Sequence, residues 1–194
     1  MPRPRAFDPD VALDQAMQLF WKKGYEGTSL SDLTDAMGIN RPSLYATFGN
    51  KEQLFHRVVD RYVAGPGARI VAALEAPTGR ATVEQLLRAY AESAGRTDAP
   101  QGCLLVQGAL ACGDESAAIQ RELASRRQAG ETALRTRLER AKKAGELPRE
   151  TRPADLARYV WAVCYGMAVM AAAGATRDEL ERIVAQTMRS WPEA

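Results

Sequence analysis

The stretch TDAMGINRPSLYATFGNKE, residues 34–52, crowds three helix punctuation signals into nineteen residues of a chain whose other segments read as longer helices. Gly38 ends one helix by supplying the left-handed backbone that a C-terminal cap favours. Asn40 is a good N-cap, and Pro42 falls near the start of the next helix, where its missing amide hydrogen costs no hydrogen bond. A helix is therefore expected over residues 41–47. Gly49 stops it, and Asn50 with Gln53 three places on caps another.

Reading outward, Ser29 and Asp32 have capping-box spacing and open a helix whose inward residues are Leu30, Leu33 and Met37. Upstream, Asp8 as N-cap, Pro9 and Asp10 begin a helix over residues 10–23 with Leu13, Ala16, Met17 and Phe20 on one face, closed by Gly24 and Tyr25. Downstream, Leu54, Phe55, Val58, Val59 and Tyr62 form a stripe on a fourth helix, before Gly65, Pro66 and Gly67 interrupt the backbone preference, so that the helix either kinks there or continues to Leu74.

Helices of about eight residues are marginal in water by themselves, so those over 30–37 and 41–47 require packing on each other and on helices one and four. A short helix, a Gly turn and a second short helix describe a helix-turn-helix, whose second member enters the major groove. Leu44 and Phe48, four residues apart, anchor that member. Arg41, Pro42, Ser43, Tyr45 and Thr47 are then left on its outer side, with no acid between Ile39 and Asn50 to repel phosphate. Arg41 is suited to reading a base, because a guanidinium grips a guanine edge with two hydrogen bonds. Ser43 can reach bases or backbone; Tyr45 and Thr47 suit phosphate. Lys51, and Thr28 with Ser29, stand at helix starts whose free amides attract anions. Arg3 and Arg5 extend the positive patch as an arm.

Bulk composition neither demands nor excludes this. The 194 residues are 46% apolar, enough for a real core, and 26 Lys plus Arg against 24 Asp plus Glu leave a formal charge of +2, so any nucleic-acid site must be local. Three cysteines, Cys103, Cys112 and Cys164, lack zinc spacing, and His56 is the single histidine, so neither a metal nor another cofactor is expected. With no Gly-rich phosphate loop after a strand and no metal set, an enzyme is disfavoured. A helical adaptor that ignores DNA is the other rival. The N-terminus lacks a signal-peptide core, and free cysteines suit a reducing cytoplasm. Residues 159–175 are uncharged, yet these seventeen fall near the lower limit of the roughly 20 that cross a bilayer, so a buried helix of a soluble protein is expected and no membrane partner.

Further helices are expected over residues 83–95, 103–111, 116–144, 154–173 and 177–190, with Gly145 and Pro148 closing the long charged one and Thr176 with Glu179 capping the last. No strand alternation competes. The fold expected is all-α: a helix-turn-helix DNA-binding domain over residues 1–50, and a larger helical ligand-binding and dimerisation domain over 51–194, connected through helix four.

The run GYEGTSLSDLTDAMGINRPSLYATFGNKEQLF, residues 24–55, resembles the DNA-binding domain of TetR-family transcriptional regulators, and the likeness extends over about residues 8–62. The shared pattern is a capped second helix, a Gly turn, a recognition helix ending in an aromatic pair and a Lys-Glu start to helix four. Thr34 departs from the Ala often found there; its hydroxyl fits if it bonds back to its own helix. The resemblance implies a homodimer whose recognition helices meet successive major-groove faces of double-stranded operator DNA, about 34–36 Å apart or a multiple. It further implies a repressor released by a small-molecule effector, with helix four changing the separation of the two heads.

For the dimer bundle the last two helices offer Ala162, Gly166, Met170, Ile183, Val184 and Met188. For the effector pocket, Tyr90, Val106, Leu110, Trp161, Tyr165 and Met167 are the expected walls, since such pockets are mostly apolar with a few polar anchors. Cys103 joins them: it lies at the apparent start of a helix, a setting that favours reactive thiols, and Cys112 follows too far along the same helix to bridge to it. The GCL segment is similar to that of family members that sense electrophiles or oxidants through cysteine, with plain core packing as the alternative role.

Overall fold

A computed structural model describes residues 7–94, 99–108 and 113–192. Four helices form the N-terminal head: α1 Pro9–Lys23, α2 Leu30–Met37, α3 Arg41–Phe48 and α4 Lys51–Ala64. Six more follow as α5 Ala68–Ala73, α6 Gly79–Ala91, α7 Leu104–Gln107, α8 Ala117–Lys143, α9 Pro153–Ala172 and α10 Arg177–Arg189, with a 3-10 turn at Asp114–Ser116 before α8. No strand occurs among the described residues.

Each head helix begins at a side chain that accepts a backbone N–H: Asp8 from Asp10, Ser29 from Asp32, Asn40 from Ser43 and Asn50 from Gln53. These bonds satisfy amides that would otherwise have no partner at a helix start. Gly38 closes α2 with φ 64° and ψ 30°, the left-handed geometry expected of it. The Thr34 hydroxyl lies 3.1 Å from the Leu30 carbonyl and 3.0 Å from that of Ser31, which is the back-bonding this departure requires.

Phe20, Leu33, Leu44, Leu54, Phe55, Val58 and Val59 are fully buried and make the head core. Phe20 and Phe55 meet edge to face at 5.0 Å, and Tyr25 meets Phe55 at 5.1 Å. α4 packs along α1, where Arg61 grips Asp14 through two bonds of 2.9 and 2.8 Å and reaches Asp10 at 3.2 Å. α4 is thus held by the head at one side while its far end enters the body.

The chain breaks after α4 rather than running on to Leu74. Gly65, at φ −103° and ψ −97°, leaves helical geometry, and the Gly67 amide donates to the Tyr62 carbonyl at 2.8 Å. α6 starts four residues before the expected 83, because Thr78 caps it and Glu146, distant in sequence, accepts the Gly79 amide at 2.6 Å. α7 occupies only Leu104–Gln107 of the helix expected over 103–111, and residues 109–112 lie outside the described set.

α8 and α9 pair along their length. α9 buries Ala157, Val160, Trp161, Cys164, Met167, Ala168 and Ala171 on one side. Its other side leaves Tyr159 and Val169 each 49% exposed and Met170 42% exposed, with Ala162 and Gly166 beside them on the surface. No helix among the described residues is long and apolar enough to cross a membrane. α10 turns its apolar face inward onto α6, burying Leu180, Val184, Thr187 and Met188.

That packing corrects part of the expected dimer set. Val184 is 2% and Met188 8% exposed, both spent on this chain's own core, and Ile183 is half-buried against the same cluster. An amphipathic stripe has one apolar face, and on α10 the protomer has already covered it. Ala162, Gly166 and Met170 are exposed on α9.

Candidate nucleic-acid interface and effector cavity

α3 stands on two buried residues, Leu44 at 0% and Phe48 at 2% exposure, and carries its polar residues outward. Arg41 and Pro42 are exposed at its first turn, Tyr45 is 49% exposed, and Ser43 and Thr47 are half-buried at its flanks. The Arg41 Nη2 donates to the Ser31 hydroxyl of α2 at 2.9 Å, so the helix that braces α3 also aims its cation. Lys51 places its ammonium 4.3 Å from the centre of the Tyr25 ring, a cation–π contact that fixes this charge at the start of α4.

Ser29 is exposed at the start of α2, where its hydroxyl accepts from the Asp32 amide at 3.0 Å and donates to the Asp32 carboxylate at 2.8 Å. The Ser29 amide, the Lys23 ammonium at 2.9 Å and the Ser29 hydroxyl together hold the Asp32 carboxyl down to about 2. Thr28 does not share this position. It is 0% exposed and donates its hydroxyl to the Gly24 carbonyl at 2.7 Å, closing the turn from α1 to α2, so its expected phosphate contact is corrected to a structural role.

Two residues of this surface were not singled out from the sequence. Ser31 positions Arg41, and Arg57 of α4 donates to the Thr47 carbonyl at 3.0 Å while lying 5.7 Å from the Phe48 ring centre. Arg57 supports the last turn of α3 and adds a cation behind it. The available signal is its spacing on α4, outside the buried positions of Leu54, Phe55, Val58 and Val59. Arg3 and Arg5 lie outside the described residues.

The head touches the body through named contacts. The Tyr25 amide donates to the Gly108 carbonyl at 2.9 Å, and the Gly113 amide donates to Glu26 at 2.7 Å. From α4, His56 pairs with Glu122 of α8, and Asp60 accepts from Arg126 of α8 at 2.6 Å. These two contacts tie α4 to α8.

Two cavities lie beyond α4. One, of about 380 Å³, lies between α1, α4, α6 and the segment before α7, with Trp21, Tyr62, Tyr90, Ser93 and Cys103 among its walls. The other, of about 340 Å³, is lined by Tyr62, Ile70, Leu74, Arg127, Trp161 and Tyr165 among others. Tyr62, Ile70 and Tyr90 line both. Burial, above all, pushes the Tyr62, Tyr90 and Tyr165 phenols well above the usual tyrosine range, so all three are neutral at physiological pH. Burial likewise pushes up the Cys164 thiol.

Of the expected pocket walls, Tyr90, Cys103, Trp161 and Tyr165 therefore do line cavities. Val106, 5% exposed, and Met167, 1% exposed, line neither of the two and belong to the core instead. Their helical spacing fits a core face as well as a pocket, and it is the core that takes them. Leu110 and Cys112 lie outside the described residues. Tyr62, Ile70, Arg127 and Gly130 are walls not anticipated from the sequence; Gly130, isolated inside a long helix, was the available signal. Among the described residues no cluster of His, Cys, Asp or Glu is arranged to hold a metal ion.

A braced, outward-facing short helix on a head joined to a helical body with cavities defines a helix-turn-helix architecture. The chain belongs to the TetR family: residues 12–58 match the family described as bacterial regulatory proteins, tetR family, and residues 79–188 match the tetracyclin repressor-like C-terminal domain. It is 37% identical over 193 residues to the HTH-type transcriptional repressor ComR of Escherichia coli (strain K12), covering 98% of this chain and 92% of ComR. Over 111 residues it is 39% identical to the repressor BdcR of the same strain, covering 55% of this chain and 54% of BdcR. Among solved structures, a cysteine mutant of the TetR-family regulator CifR complexed with 26 bp double-strand operator DNA superposes with a TM-score of 0.94 at 39% identity, covering 98% of this chain and 100% of that one.

Proposed function

We propose that this protein is a homodimeric repressor that binds double-stranded operator DNA through α3 and leaves it when a small-molecule effector, or an electrophile or oxidant, reaches the body. The observation that carries this reading is α3 itself: two buried anchors, an outward face holding Arg41, Ser43, Tyr45 and Thr47, and no acid from residue 39 to 50. CifR, bound to its operator, supports the same use of the same head. A regulator of this kind works on the chromosome, in the cytoplasm.

The exposed stripe of Ala162, Gly166 and Met170 on α9, extended by Tyr159 and Val169, is the surface we assign to the two-fold contact. One face reused on both chains closes a dimer and sets two heads side by side. Cys103, 2% exposed and part of the wall of the 380 Å³ cavity, is the thiol we assign to the chemical branch of the signal. Cys103→Ser should then abolish release by the thiol oxidant diamide; unchanged release would leave Cys103 as core packing.

Selection from a pool of random duplexes tests the reading as a whole. A repressor of this architecture should enrich an inverted repeat whose half-sites lie one helical turn, roughly 10–10.5 bp, or a multiple apart. Enrichment of no sequence would favour a helical adaptor instead.

A further inference from the structure

We propose that the 340 Å³ cavity takes a small hydrophobic monocarboxylate, whose head group is received by Arg127 and Trp161. The inference rests on the effector-responsive reading above and names the class of effector. Ile70, Leu74, Tyr62 and the aromatic rings of Trp161 and Tyr165 give the cavity apolar walls suited to a hydrocarbon body.

Its charged side chains are both cations, Arg126 and Arg127. Trp161 is 6% exposed, and its Nε1 is buried with no hydrogen-bond partner. Buried donors almost always have an acceptor, so this one marks a place where an acceptor belongs. A Cβ built on Gly130, in the same wall, would sit 3.0 Å from the Trp161 Cζ2 and 3.6 Å from its Cε2, the atom bonded to Nε1. The indole thus packs directly on the Gly130 backbone, with its buried N–H close behind the cavity wall.

Arg127 supplies the charge. Its guanidinium donates to the Leu105 carbonyl, and among the described residues no carboxylate stands within ion-pair distance of it. Its neighbour Arg126 is neutralised by Asp60 at 2.6 Å and Glu122 at 3.4 Å. No Asp or Glu is among the described residues lining the cavity. A cation in an apolar wall without a counter-ion favours an anionic ligand, and a carboxylate matches guanidinium geometry. With Arg126 already paired, one negative charge is what the site can accept. The Tyr165 phenol, held neutral above all by burial, lines the same cavity within reach of the Arg127 charge and of the Glu131 carboxylate, which is itself paired with Arg158 at 3.3 Å. Because Tyr62 lines the cavity from α4, an occupant touches the helix that carries the head.

Calorimetry on the full chain tests this with nonanoate and 2-nonanone, which share a chain length and differ in charge. Nonanoate should bind at one site per protomer, at least ten-fold more tightly than 2-nonanone. Arg127→Gln should weaken nonanoate at least ten-fold and leave 2-nonanone unchanged, and Arg127→Lys should restore most of the loss. Trp161→Phe should weaken nonanoate a few-fold. Equal binding of the two probes to the unsubstituted chain, or no binding of nonanoate, overturns the inference, and neither result depends on a variant folding. A nonanoate affinity indifferent to Arg127→Gln overturns it as well. Failure of nonanoate in a protein that still enriches an inverted repeat removes the effector class and leaves the repressor; binding of nonanoate by a protein that enriches no duplex does the reverse.

Discussion

The head and the body solve the same problem, starting and stopping helices, by different means. All four head helices open on a side-chain cap within three residues of the amide it serves, at Asp8, Ser29, Asn40 and Asn50. In the body only α6 and α10 have such caps, from Thr78 and Thr176, while α5, α7, α8 and α9 have none. Long-range bonds take over there: Arg137 to the Ala76 carbonyl at 3.0 Å, the Gly79 amide to Glu146 at 2.6 Å, and Arg127 to the Leu105 carbonyl. Local capping makes a small, self-specified unit that presents α3 in one geometry. In the body, helix positions are set by such tertiary bonds and by packing around the cavities.

The largest expected effect breaks the head at its anchor. Leu44 is fully buried, so Leu44→Ala should cost about 2–5 kcal/mol of stability in denaturant titration, with loss of operator binding. A cost under about 1 kcal/mol would mean that α3 is not seated as described. Next comes recognition. Arg41→Ala should weaken the selected duplex by about 1–3 kcal/mol and random duplex little, whereas Lys51→Ala should weaken both alike and lower the salt slope by about one. Equal losses on both duplexes for Arg41→Ala would remove it from base reading.

Asn40→Ala removes the cap of α3 and should cost about 1 kcal/mol by thermal or chemical denaturation, sharpening the claim that local caps set the head. An unchanged midpoint would transfer that role to packing. The smallest effect concerns acid. The Asp32 carboxyl is lowered from the usual 3.8 to about 2 by the Ser29 amide, Lys23 and the Ser29 hydroxyl. A depressed value in the folded state means the ionised form is the one stabilised, so its contribution is complete above pH of about 4 and is lost as the pH falls through about 2. Amide exchange at Ser29 should accelerate over that window and lose this dependence in Asp32→Asn; an identical acid limb in the variant would assign the effect to another group.

The same contrast explains what the sequence made legible. The span 30–37 for α2 and the start of α3 at Arg41 could be read from Ser29, Gly38, Asn40 and Pro42 because the residues that decide them sit within four positions. The opening of α6 at Gly79 could not, since Glu146 lies 67 residues away. Helical spacing alone also could not sort pocket from core on α9, where Trp161 and Tyr165 reached a cavity and Met167 did not. Nor could it sort a dimer face from a protomer core on α10, because Val184 and Met188 satisfy the same apolar pattern either way. Arg127 is one cation among several in a charged helix until the fold sets it in the same cavity wall as Trp161.

The central claim is that α3 reads DNA, and binding of the selected inverted repeat and of its scrambled version across a salt series tests it most directly. The account predicts that affinity for both falls steeply and linearly with the logarithm of salt, about 0.9 per phosphate neutralised, with the selected site tighter by roughly 10³-fold or more. Affinity that ignores salt, or that is equal for the two duplexes, would contradict it.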